Sequence, residues 1–247
     1  MGSKLFALVR RELGAYFSSP LAYVVLTACT VVNGWVFFLI VSYLNDPRTA
    51  PMAAFKLLFG GTIFFWLLLL FVLPVITMRL LAEERRSGTL EVLLTAPVTE
   101  FQVILGKFLA SLVFYLFLWL PTLAHVALLA RYSPLEWGPV VAGYLGVALL
   151  GSMFLSMGLL TSALVRNQIV AAVFAFALLV VVFSLGLVEG LVTAPTWKGV
   201  LSHMNLWSLM DDFSRGLVDT RWVIYPLSVT GLFLFLATKA LEASKGR

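Results

Sequence analysis

Gly106 and Lys107 form the Gly-Lys pair on which a phosphate-cradling loop could be built, but their neighbours do not complete it. Such a loop needs an earlier glycine, so that backbone amides can wrap the phosphates, and a hydroxyl after the lysine to hold magnesium. Phe101 stands in the glycine's place and Phe108 follows the lysine, so no nucleotide site is expected here. The histidines offer no metal chemistry. His125 falls in an apolar run, where a buried, hydrogen-bonded ring is the expectation, and His203 has no second ligand type at helical spacing. Neither a His-Glu-x-x-His pattern nor a Gly-x-Ser-x-Gly elbow occurs. The apolar runs hold no carboxylate, with Glu189 only at the edge of one, whereas a proton-coupled carrier usually needs such a group in the membrane. Catalytic, cofactor-binding and metal residues are all expected to be absent, and the chain is expected not to be an enzyme.

The surroundings explain why. Of 247 residues 61% are hydrophobic and only 12% are charged, giving a mean hydropathy of +1.01. A hydrocarbon core of about 30 Å takes about 20 apolar residues as a helix. The runs Leu21–Leu44, Leu57–Met78, Phe108–Ala130, Val140–Val165, Ile169–Val188 and Trp222–Leu241 meet that length. An all-α polytopic membrane protein of six spans is expected, because a helix satisfies its own backbone hydrogen bonds in lipid. The runs leave little chain for a separate soluble domain, so residues 1–247 read as one transmembrane domain. Six spans put both termini on one side. With the N-terminus inside, eleven Lys and Arg lie inside and six outside, the asymmetry expected of cytosolic loops. The net charge of +5 then reflects basic residues facing anionic lipid, and nucleic acid is not an expected partner. Cys29 is the single cysteine, so no intrachain disulfide can form. No cleavable leader pattern precedes the first run.

One polar cassette, residues 79–107, interrupts this hydrophobic chain and is expected in the cytosol. Arg79–Arg86 could continue span two as a helix, and Ser87-Gly88 would end it, glycine being the natural left-handed residue at a helix end. Thr89–Thr95 could form a short transverse helix with Leu90, Leu93 and Leu94 on one face, and Pro97 would end it. Thr99 and Gln102 have capping-box spacing at the start of span three. So short a helix cannot offset its own nucleation, so other surfaces must hold it.

Elsewhere, residues 1–20 hold Leu5, Leu8, Val9, Leu13 and Tyr16 at helical spacing among Lys4, Arg10 and Arg11, an interfacial amphipathic helix that could also touch a partner. Ser19 and Pro20 are placed to cap and open span one. Ser133 to Glu136 has a capping-box pattern before span four, which carries Ala142, Gly146, Gly151, Ser152, Ser156, Gly158 and Ser162, small residues that let helices approach closely in lipid. Residues 189–221 form the extracytoplasmic segment, where Trp197 and Trp207 fit an interfacial belt and Leu206, Leu209, Met210 and Phe213 fit an amphipathic helix on the outer surface. A capped surface loop and an outer gate stand equal there, with Trp207, Phe213, Arg215 and Asp219 as the gate residues.

The run from Glu84 to Pro97, EERRSGTLEVLLTAP from Glu83 onward, followed by Gly106-Lys107, resembles the permeases of type-2 ABC exporters. Residues 74–79, 16–23 and 213–221, with Pro121-Thr122, are similar to the gliding-motility-associated branch of that family. The resemblance covers nearly the whole chain. It implies a dimeric permease (homo- or heterodimer) in the bacterial cytoplasmic membrane, with ATP and Mg bound by a separate ABC ATP-binding subunit. It implies that the cassette is a coupling helix seated in a cleft of that subunit, with Glu84, Gly88, Thr89, Leu90, Glu91, Leu94 and Pro97 transmitting its closure. An extracytoplasmic auxiliary subunit is a further partner consistent with it. Two other readings compete: a mechanotransmission subunit acting on an envelope partner without cargo, and a membrane scaffold outside the ABC class.

Overall fold

The structure, a computed structural model, describes residues 2–45, 53–89, 98–132 and 136–245. Among the described residues all regular elements are helices: α1 (Gly2–Ser18), α2 (Pro20–Leu44), α3 (Ala53–Leu58), α4 (Ile63–Thr77), α5 (Ala82–Ser87), α6 (Glu100–Leu118), α7 (Thr122–Tyr132), α8 (Trp137–Leu164), α9 (Gln168–Glu189), α10 (Pro195–His203), α11 (Leu206–Ser214) and α12 (Thr220–Lys245). Six helical stretches are long and apolar enough to cross a membrane: Pro20–Leu44, Lys56–Ser87, Glu100–Tyr132, Trp137–Leu164, Gln168–Glu189 and Thr220–Ala243. The chain is an all-α, multi-pass membrane protein.

The bundle is organised around α8, on which α4, α6, α9, α11 and α12 all pack. Its small residues make this possible. Gly143 faces the Phe59 ring, Gly146 the Phe213 ring, Gly151 the Tyr115 ring and Gly158 the Thr77 side chain, each closer than a Cβ could tolerate. Dispersion between close-fitting surfaces replaces the hydrophobic drive that lipid cannot supply. Span four was expected to pack inside the subunit, and it is the most enclosed of the six stretches.

Spans two and three are not continuous rods. Between α3 and α4 the chain turns through Gly60, whose φ of 92° suits glycine, and Trp66 Nε1 closes the turn by donating to the Gly60 carbonyl at 2.9 Å. Between α6 and α7 Pro121 breaks the ladder, and Thr122 Oγ1 donates to the Trp119 carbonyl at 2.6 Å. The third break corrects the expectation that span two runs unbroken through Arg86. Helix α4 ends at Thr77, residues 78–81 form turns, and α5 begins at Ala82. The reason lies on α8, where Ser162 Oγ accepts from the amides of Leu81 and Ala82 at 3.0 and 3.1 Å. These amides are satisfied from another helix, so the ladder can open without leaving them unpaired.

Packing divides the bundle into two ends. One holds α1, α5, the start of α6 and the end of α8 near Ser162. The other holds α3, α10, α11, the start of α8 near Gly146 and the end of α9.

Candidate functional site

The site forms at the first end, where α1 lies along α6 and the contacts advance together along both helices. Leu8 covers Gly106, where an added Cβ would sit 3.1 Å from Leu8 Cβ. One turn on, Glu12 meets Lys107 at 3.1 Å, and a further turn on the Tyr16 ring stacks on Phe114 with centroids 4.7 Å apart. Helical spacing thus puts Leu8, Glu12 and Tyr16 on one face of α1. Tyr16 also donates its hydroxyl to the Ile76 carbonyl at 3.0 Å, tying α1 to the end of α4.

Lys107 is the centre of a four-residue charge cluster. Its side chain is 3% exposed, and Nζ donates to Glu12 at 3.1 Å and to Glu84 at 2.8 Å. Arg11 closes the group from the exposed side, 2.7 Å from Glu12 and 3.5 Å from Glu84. Three elements that are distant in sequence, α1, α5 and α6, are therefore held by one buried ammonium. Burial by itself would raise the Glu12 pKa, but Lys107 and Arg11 outweigh it and hold that carboxyl below its usual range. The hydrogen bond from Arg11 to Glu12 raises the arginine's pKa in turn. Desolvation, with Glu12 nearby, pushes the Tyr16 phenol up. A cluster of this kind can transmit position, because a buried charge holds its partners in one geometry.

The cassette residues fall around this cluster as follows. Glu84 is in it. Gly88 ends α5 with a φ of 72°, as expected, and among the described residues, its two chain neighbours aside, nothing lies within 4 Å of where its Cβ would be. Thr89 Oγ1 lies 2.8 Å from Ser87 Oγ, which donates back to the Glu83 carbonyl at 2.9 Å. Leu90, Glu91, Leu94 and Pro97, and with them the expected transverse helix, lie outside the described residues, as does most of the Ser133–Glu136 pattern. Thr99 and Gln102 form the expected capping box, with both reciprocal bonds present. Ser19 occupies the cap position of α2 but makes no side-chain cap bond; its hydroxyl accepts from Arg79 at 3.2 Å instead.

The four outer residues do not converge on one another. Trp207 was expected in an interfacial belt, but its ring packs inside the bundle, 5.0 Å from Trp66 and 5.3 Å from Phe183. Phe213 is fully buried against Gly146. Arg215 pairs with Asp211 at 2.6 Å and Asp219 with Arg221 at 3.0 Å, both toward the surface. Helix α11 has the expected apolar face, yet it is seated into the bundle rather than resting on it. Leu206, Leu209, Met210 and Phe213 are all at 0% exposure. Asn205 caps α11 by accepting from Trp207 N and donates to Glu189 at 2.6 Å, giving that edge carboxylate a structural partner. His125 differs as well. It is half-buried and stacks on Phe37 at 4.4 Å, while Nδ1 has no hydrogen-bond partner.

Glu12 was the functional residue missed by sequence reading. Its place at helical spacing between Leu8 and Tyr16 was the available signal, masked by the neighbouring Arg10 and Arg11.

Residues 18–210 match the family described as ABC-2 family transporter protein. The chain is also 29% identical over 164 residues to proteins named "Probable multidrug ABC transporter permease YbhR" from Escherichia coli strain K12 and from Escherichia coli O157:H7. That alignment covers 63% of this chain and 44% of each relative, so the chain spans less than half the length of the curated relatives it matches. With the family match extending over most of the membrane bundle and across the cassette, the chain belongs to the ABC-2 transporter permease family.

Proposed function

We propose that this chain is the membrane subunit of an ATP-driven exporter and that residues 79–107 receive the motion of a separate ABC ATP-binding subunit. The observation that carries this reading is the Glu84–Lys107 ion pair. It fixes α5, near the entrance of the cassette, to the first turns of α6 at its exit. A push on the cassette would then move α5 and α6 together, and with them α1, instead of bending a loop. Family membership supports an ATP-binding partner, and the relatives named as probable multidrug permeases support export as the direction of transport. A second permease subunit and the bacterial inner membrane belong to the same proposal, as do cytosolic termini, which the distribution of basic residues supports. The likeness to the gliding-motility branch rests on short sequence stretches and adds no cargo.

The test is a mild-detergent pull-down of the tagged chain, followed by ATPase assay in nanodiscs. A stoichiometric P-loop ATPase should copurify, and Leu94→Asp should abolish its capture while the membrane bundle keeps its helical signal. Capture and ATPase coupling that survive Leu94→Asp would remove the cassette from the docking role. A folded chain that captures no ATPase would overturn the proposal as a whole.

A further inference from the structure

Beside the charge cluster lies a cavity of about 580 Å³, lined by α1, α2, the end of α4, α5, α6 and Gln168 at the start of α9. Its two halves differ in chemistry. The inner wall is apolar and buried, with Ala22, Val25, Ile76 and Phe114. The mouth carries Arg79, Glu83 and Arg86, all exposed, with Glu84 behind them. We infer that this cavity binds the headgroup of a primary-amine phospholipid, phosphoethanolamine on glycerol, with an acyl chain against the apolar wall. The inference does not rest on the exporter reading, since it needs only a bilayer at this depth.

Three observations point to that ligand. First, the lining holds cations and anions in equal number, Arg79, Arg86 and Lys107 against Glu12, Glu83 and Glu84. A zwitterion leaves this balance of the lining intact. Second, the internal pairs do not use all the capacity. Glu84 Oε1 is taken by Lys107, but Glu84 Oε2 is buried with no hydrogen-bond partner among the described residues. An orphaned carboxylate oxygen asks for a donor, and a primary ammonium supplies three. Among the described residues neither Glu83 nor Arg86 has an ion pair, and Arg79 meets only the neutral Ser19 hydroxyl. Two guanidiniums at the mouth suit a phosphodiester, which they can grip with paired N–H donors. Third, the apolar wall belongs to α2, α4 and α6 as they enter the apolar spans. Headgroups of the bilayer lie at this same boundary, and a chainless zwitterion would leave that wall unused.

The recognition is therefore directional: phosphate on Arg79 and Arg86, ammonium on Glu84 Oε2 and Glu83, chain along Leu21, Val25 and Val75. Methylation of the nitrogen removes the donors that Glu84 requires.

The experiment is a native mass-spectrometric titration of delipidated protein in detergent, using dioctanoyl phosphatidylethanolamine, the matched phosphatidylcholine and phosphatidylglycerol, and chainless glycerophosphoethanolamine. The ethanolamine lipid should bind about tenfold more tightly than the choline lipid, the difference expected for one charge-assisted hydrogen bond. The chainless compound should not compete. Arg86→Ala and Glu83→Gln, both at exposed positions, should each weaken the ethanolamine lipid while leaving helical content unchanged. Ala22→Phe should exclude it by filling the wall. Equal binding of the ethanolamine and choline lipids would overturn the inference, as would tighter binding of the glycerol lipid or indifference to Arg86→Ala. Equal binding of the chainless compound would assign the cavity to a soluble zwitterion and overturn the lipid assignment.

Discussion

Glu84 and Lys107 lie 23 positions apart and meet at 2.8 Å across the entrance and exit of the cassette. The distance matters because Lys107 is the most enclosed of the four charges and has two carboxylates at hand, so its loss leaves both without their strongest partner. Lys107→Met should cost about 3–5 kcal/mol, the usual penalty for breaking a buried pair from one side. Adding Glu12→Gln and Glu84→Gln to that variant should recover most of the loss, because no buried charge then remains unpaired. Reversible unfolding of the wild type, Lys107→Met, the Glu12→Gln/Glu84→Gln variant and the triple variant in bilayer discs measures the coupling. Simple additivity of the single losses would show that the cluster does not act as a unit.

Ser162 serves the break between α4 and α5 from another helix. Ser162→Ala should leave the Leu81 and Ala82 amides without an acceptor, at about 1–3 kcal/mol for each group. Faster hydrogen exchange confined to those amides is the expected signature. Ser162→Thr, which keeps the hydroxyl, should restore slow exchange.

Gly151 and Gly231 provide a paired test of how α8 packs. A Cβ at Gly151 would overlap the ring of Tyr115, whose hydroxyl donates to the Val147 carbonyl at 3.1 Å. Gly151→Ala should therefore destabilise by about 1–3 kcal/mol. At Gly231, on α12, nothing lies within 4 Å, so Gly231→Ala should be neutral or gain up to about 1 kcal/mol from helix propensity. Thermal unfolding midpoints would separate the two.

The charge cluster around Lys107 should resist mild acid. Glu12 has a lowered pKa in the folded chain because Lys107 and Arg11 outweigh the effect of burial. A carboxyl so depressed contributes stability at pH values above its unfolded value of about 4.3 and loses it as pH falls through the folded value. Attachment of α1 should thus be flat from about pH 7 to 5 and weaken only below about pH 4. Protease access at Arg10 and Arg11 would follow it, and Glu12→Gln should remove that acid transition.

Most of the architecture was legible in the sequence because apolar length alone sets the number of spans, and the small residues of span four pointed to close packing within the subunit. The capping box at Thr99 and the left-handed Gly88 were legible for the same reason, since each is a local backbone requirement met by local residues. What escaped was non-local. Nothing near Leu81 indicates that its amide bonds to a serine 81 positions away, so span two read as unbroken. Trp207 has belt-like composition, and only the neighbouring Trp66 and Phe183 rings turn it inward. Lys107 read as one more basic residue on the inner side until Glu12 and Glu84 were placed against it.

The break at residues 78–81 is held from two directions at once. Leu80 N turns back to the Thr77 carbonyl, so the Ile76 carbonyl is released from its helical partner and takes the Tyr16 hydroxyl instead. From the other side the Ser162 hydroxyl accepts the next two amides. Both clips are single neutral hydroxyls, each worth about 0.5–1.5 kcal/mol net. Their combined hold is small enough to let go and re-form within the microseconds to milliseconds of collective helix motion. Helix α1 and span four would each register such a release at the same instant, so the joint below span two behaves as a detent with two catches: it stays put under thermal jostling and yields to a modest, directed load.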